Sequence, residues 1–139
     1  MSLLLDASAL LGAVIDGRHR GLVVEAIAAA QDDGGEHVFA SAVALTEALA
    51  AIDRLADDEI VRSDLEDAVR RLWDHVHVIP VDQRCLDDAA RLTRERPIRL
   101  SDGIHLAAAL RLPPPRRLVT IDPVQVPAAI GLGFDVVSP

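Results

Sequence analysis

Apolar positions along the chain follow two rhythms. Short uninterrupted runs, rich in Leu, Val and Ile and bounded by turn residues, predict strands over residues 2–6, 37–41, 76–81, 117–121 and 134–137. Between them, apolar residues recur at helical spacing. Helices are predicted over 7–15, ending at Asp16-Gly17, and over 21–31, ending at Asp32-Asp33-Gly34-Gly35. Ser41 is placed to cap a helix running to about Ala56, and Asp57-Asp58-Glu59 puts negative charge in the first turn of another that reaches about Asp74. Asp82 caps a helix that stops before Pro97, and Ser101 caps one ended by Pro113-Pro114-Pro115. Asp122-Pro123 opens a short helix to about Ile130. Pro80 marks the 76–81 run as an edge strand or a strand end. Strands alternating with helices of this length predict βαβ units and an α/β fold with a mostly parallel sheet.

Composition narrows this picture without changing it. At 139 residues, half of them hydrophobic, the chain is long enough for one domain with a real core, and residues 1–139 are assigned to that one domain. Trp73, Phe39 and Phe134 are the only aromatics apart from the histidines, so Ala, Leu, Val and Ile must fill the interior. Cys85 is the single cysteine, which excludes an internal disulfide and suits a reducing compartment. No apolar run approaches the roughly 20 residues of a membrane helix, and the first residues lack the basic flank and cleavage site of a signal peptide. A cytoplasmic protein without membrane contact is expected.

The net charge of −8 argues against a nucleic-acid binder held by bulk electrostatics. The charge is uneven, however: residues 1–83 carry six Arg and sixteen acids, whereas residues 84–117 carry eight Arg and four acids. Arg91, Arg94, Arg96, Arg99, Arg111, Arg116 and Arg117 form a basic stretch, which is either a solvated face or a phosphate-contacting rim. The chain has no lysine.

Four acids stand out by position. Asp6 and Asp122 end predicted strands, Asp102 starts a helix, and Glu47 interrupts the otherwise apolar run Ala42-Val43-Ala44-Leu45-Thr46-Glu47-Ala48-Leu49. Asp6 and Asp122 could be simple helix caps, and Glu47 needs a partner, an arginine being the simplest, because a buried unpaired charge costs several kcal/mol. In a parallel sheet all four can instead meet in one crevice at the carboxyl edge, where α/β folds bind their ligands. Carboxylates that close raise one another's pKa unless a cation lies among them, and oxygen donors select Mg²⁺ or Mn²⁺. Such a cluster suits metal-dependent phosphodiester hydrolysis by an activated water. The histidines lack metal-ligand spacing; His75 and His77 are read as strand residues with a structural or surface role, and His105, three residues after Asp102 on the same helix face, is expected near the site.

Leu4-Leu5-Asp6-Ala7-Ser8, Glu47, Leu100-Ser101-Asp102 leading into His105-Leu106-Ala107-Ala108-Ala109, and Val119-Thr120-Ile121-Asp122 together resemble the PIN domain, and more narrowly the VapC-type ribonuclease toxins of toxin–antitoxin pairs. The resemblance spans essentially the whole chain. It implies a five-stranded parallel sheet, an acidic metal site at Asp6, Glu47, Asp102 and Asp122 for Mg²⁺ or Mn²⁺, and polar neighbours of that site at Ser8 and Thr120. It further implies an RNA substrate, a VapB-like antitoxin as partner, and a homodimer. Alternatives are a PIN-domain RNA-processing nuclease that is not a toxin, or a catalytically silent module that binds RNA or a partner. A phospho-acceptor receiver domain and a haloacid-dehalogenase-like phosphatase both need a lysine, a P-loop needs Gly-Lys, and a dinucleotide fold needs a glycine-rich turn where Asp6-Ala7-Ser8-Ala9 stands.

Overall fold

Leu3, Leu4 and Leu5 are all buried, yet they serve two different cores: Leu3 and Leu5 pack into one, Leu4 into the other. Side chains alternate along a strand, so an unbroken apolar run is what a strand covered on both faces requires. The same division holds for Val119 against Leu118, and for Val38 and Ala40 against Phe39. The computed structural model that shows this describes residues 1–32 and 37–139. The Asp33-Gly34-Gly35 part of the predicted turn lies outside the described residues.

The strands are β1 (Ser2–Leu5), β2 (Val38–Ser41), β3 (His77–Ile79), β4 (Arg116–Val119) and β5 (Asp135–Val137). They form one sheet in the order β3-β2-β1-β4-β5, and each neighbouring pair is parallel. The helices are α1 (Ala7–Val14), α2 (Arg20–Asp32), α3 (Val43–Leu55), α4 (Glu59–Trp73), α5 (Gln83–Glu95), α6 (Leu100–Ala109) and α7 (Val126–Gly131), with a 3₁₀ turn at Pro123–Gln125. One core draws on α1 to α4, the other on α5 to α7. The chain runs from β1 out to β3, then returns to the far side of β1 at β4. With right-handed crossovers, that reversal moves the helices to the other face and opens a crevice at the carboxyl ends of β1 and β4.

The predicted α/β fold and its elements are present, with shorter strands and two capping differences. As the proline signal indicated, β3 lies at a sheet edge. It begins only at His77, so His75 precedes it, and the His77 ring packs on His37 and Phe39 with centroids 4.5 and 5.5 Å away. Ser41 does not cap α3. It ends β2, fully buried, and its Oγ lies 2.8 Å from His105 Nδ1. Nor does Ser101 cap α6: Arg99 takes that position, and Asp102 accepts its backbone N–H at 3.1 Å. The helix thus starts at Leu100, which puts Ser101 inside the first turn rather than ahead of it.

Helices α5 and α6 pack closely, and Gly103, next to Asp102, makes this possible. A Cβ there would stand 3.0 Å from Thr93 Cγ2 and 3.1 Å from the Ala89 carbonyl oxygen. Overpacking costs about 1–3 kcal/mol, and the better helix propensity of alanine offsets up to about 1 kcal/mol of it. Gly103→Ala is therefore expected to lower the urea midpoint with an unchanged slope, a net loss of about 1 kcal/mol. An equal or higher midpoint would show that the two helices separate freely here.

Candidate active site

All four acids line one crevice of about 400 Å³, together with Ser8, Arg54, Arg99 and His105. Each arrives from a different element. Asp6 follows β1, Glu47 lies in the second turn of α3, Asp102 in the first turn of α6, and Asp122 just after β4 at the 3₁₀ turn.

Asp6 is the anchor. Only 3% exposed, it accepts four hydrogen bonds: from Ala9 N (2.8 Å) and Ser8 Oγ (2.7 Å) at Oδ1, and from Thr120 Oγ1 (2.6 Å) and Gln125 Nε2 at Oδ2. The Ala9 bond caps α1, so the cap and crevice readings of Asp6 hold together. Ser8 in turn accepts from Ile121 N at 2.9 Å, tying the end of β1 to the segment after β4. Thr120 is fully buried behind Asp6. Burial pushes the Asp6 carboxyl above its ordinary range, while the bonds from Thr120, Ser8 and Ala9 and the nearby His105 pull the other way.

A raised folded-state pKa means that Asp6 supports folding below the ordinary carboxylate value of 3.8 and that this support is lost as pH rises through the raised value. Asp6→Asn carries no such group. In EDTA, the melting temperature of Asp6→Asn minus that of the parent should therefore increase as pH rises from 4 towards neutrality. A pH-independent difference would remove the burial effect.

Glu47 has a histidine, not the expected arginine, beside it. His105, 2% exposed, places Nε2 2.9 Å from Glu47 Oε1. The approach is close but poorly aligned, and both atoms lack a proper hydrogen bond although solvent does not reach them. On its other side the ring holds Ser41. The result is a row Ser41–His105–Glu47 that fixes the position of the carboxylate while leaving one of its oxygens available.

Asp102 and Asp122 are joined through Arg99. The guanidinium donates from Nε to Asp102 Oδ2 (3.0 Å) and from Nη2 to Asp102 Oδ1 (3.1 Å), and Nη2 also reaches Asp122 Oδ2. The Asp102 carboxylate holds the Arg99 proton even more firmly than usual. Asp122 also caps the 3₁₀ turn through Val124 N at 3.0 Å.

The arginine stretch divides. Arg111 pairs with Asp82 at 3.0 Å, Arg91 with Asp88 at 3.5 Å, and Arg116 donates to the carbonyls of Leu112 and Leu110 and lies over the Phe134 ring. These three serve the fold. Arg54 and Arg99 are the arginines that line the crevice, and Arg54, on α3, was not among those singled out.

Gln125 is the other polar group missed. It is fully buried, binds Asp6 and Thr120, and leaves its Oε1 without a partner. The signal was a lone amide in the apolar run Val124-Gln125-Val126, the kind of interruption that singled out Glu47.

The crevice suits a hard cation in donor type, since every acid offers oxygen and the Glu47 carboxylate keeps one oxygen clear of His105. Among the described residues, no three acids, histidines or cysteines are gathered into a closed cage. Arg99 bridges two of the four instead.

The PIN domain description matches residues 3–113. Solved structures with the same fold include VapBC2 from Rickettsia felis bound to a promoter DNA fragment, at TM-score 0.74 and 12% identity, covering 100% of this chain and 99% of that one. FitAcB from Neisseria gonorrhoeae aligns at TM-score 0.72 and 18% identity over 96% and 95% of the two chains. VapBC-5 from Mycobacterium tuberculosis, of the VapBC toxin–antitoxin family, aligns at 0.64 and 20% over 99% and 98%. No curated protein matches the chain by sequence.

Proposed function

The chain belongs to the PIN domain family, and from that membership and the acidic crevice we propose that it is a Mg²⁺- or Mn²⁺-dependent endoribonuclease, the toxin of a toxin–antitoxin pair. The observation that carries this reading is the meeting of Asp6, Glu47, Asp102 and Asp122 in one crevice from four separate elements. Nothing in the packing of an α/β sheet requires four carboxylates there, and their mutual repulsion disfavours it.

Asp6, Asp102 and Asp122 would hold the cation, with Glu47 beside them. Such an ion supplies positive charge against the phosphate and makes a water easier to deprotonate. The chain's own part is placement. Four donors lock Asp6 in one orientation, so that it is pre-positioned rather than recruited. Glu47, held at Oε1 by His105, presents its other carboxylate oxygen to orient the attacking water and accept its proton. Attack at phosphorus breaks the bond to the 3′ oxygen, which leaves with a proton, giving a 5′-phosphate and a 3′-hydroxyl. Arg54 stands at the crevice wall as a phosphate contact in a chain of net charge −8.

The relatives named above come from VapBC and Fit complexes and align over nearly their full length, which supports a VapB-like antitoxin as partner. A homodimer completes the proposed assembly. End analysis of labelled single-stranded RNA after incubation with the purified protein and Mn²⁺ tests the reaction. Fragments with 5′-phosphate and 3′-hydroxyl ends are expected. Cyclic-phosphate ends would exclude water as the nucleophile, and retarded but intact RNA would establish a binding module.

A further inference from the structure

Asp102 is 2% exposed, and among the described residues its hydrogen bonds and its ion pair all come from Arg99. Oδ2 takes the Arg99 backbone N–H at 3.1 Å and Nε at 3.0 Å, while Oδ1 takes Nη2 at 3.1 Å. The same Nη2 reaches Asp122. A guanidinium presents its donors in a planar fork, and this one spans two acids of the crevice. We propose that Arg99 is an internal counter-ion for the acidic crevice, bridging Asp102 and Asp122 in the metal-free protein and displaced from them when a divalent cation binds.

Three observations carry this. First, the carboxylate faces that a cation would need are the ones the fork occupies, so the two cannot share them. Second, the Arg99 side chain is 60% exposed, against 3% for Asp102. The arginine can therefore leave into water at small loss, whereas the buried acid must keep some positive charge beside it. Third, no three potential ligands among the described residues are gathered around one point, as expected where an arginine sets the spacing of two of them. Binding of metal and seating of Arg99 are then two mutually exclusive states, each weakening the other by the same factor.

The inference rests on the metal reading of the site, and direct binding separates the two. Mn²⁺ is titrated by calorimetry into metal-stripped parent, Arg99→Gln and Arg99→Lys proteins. Removing the competitor should tighten Mn²⁺ binding by about fivefold or more in Arg99→Gln. Arg99→Lys keeps a charge without the fork and should fall between Arg99→Gln and the parent. In EDTA, Arg99→Gln should melt below the parent, and saturating Mn²⁺ should close that gap. Parent protein that binds Mn²⁺ while neither variant binds it more tightly overturns the role of Arg99 alone. Absence of Mn²⁺ binding in all three proteins overturns the metal site and this inference with it.

Discussion

Asp6→Asn is expected to lose RNA cleavage by about 10³-fold or more while keeping the parent's fold. The amide removes the negative charge at a buried carboxylate of the crevice and changes almost nothing else. Asparagine retains one acceptor, which can stay on Ala9 N and Ser8 Oγ. Its new N–H groups would face Thr120 Oγ1, whose hydroxyl can rotate, and Gln125, whose unpartnered Oε1 is available if the amide turns over. The surroundings of Asp6 are thus able to accept the neutral isostere, so lost activity reports charge rather than collapse. A far-ultraviolet dichroism spectrum matching the parent's is the control, and cleavage within tenfold of the parent's would remove Asp6 from the reaction.

The second large effect is on stability. His105→Ala is expected to destabilise the protein by about 3–5 kcal/mol, a large part of the ~5–15 kcal/mol typical of a domain. The ring is buried at the contact of α6 with β2 and α3. Its loss leaves a cavity and strands the fully buried Ser41 hydroxyl without a partner, each a recognised source of large losses. Double substitution with Ser41→Ala should recover part of the loss, since the stranded hydroxyl is then gone. Urea unfolding measures both; a loss below about 1 kcal/mol for His105→Ala would mean that the pocket refills or that the ring does not bind Ser41.

Much of this fold is legible in the chain because the strands are buried on both faces. The run Leu3-Leu4-Leu5 and its counterpart at Leu118-Val119 mark a covered parallel sheet, and the turn and proline signals separate the elements. Among the four acids, Glu47 is conspicuous because it breaks an apolar helix, and the others because they sit at element ends. Less legible is how each acid is compensated. Glu47 turned out to lie beside His105, 58 positions away, and Asp6 is bound by Gln125, 119 positions away. Contacts across the sheet leave no local pattern. The caps at Ser41 and Ser101 failed for different reasons: His105 draws the Ser41 hydroxyl away at α3, while α6 starts at Leu100, so that Ser101 already lies inside its first turn.

The fate of Arg99 shows the same limit in the basic stretch. Counting charge places eight arginines between residues 84 and 117, but only the folded arrangement distinguishes those that brace carbonyls and surface acids from the one that spans two crevice carboxylates.

The most direct test of the whole account is the initial rate at which one preparation cuts a 5′-labelled single-stranded RNA, read in Mg²⁺, after EDTA, and after Mg²⁺ is restored, with Asp6→Asn alongside. Cleavage that disappears with EDTA, returns with Mg²⁺, and stays absent in Asp6→Asn throughout is the predicted result. Cleavage that continues in EDTA, or that Asp6→Asn retains, would contradict it.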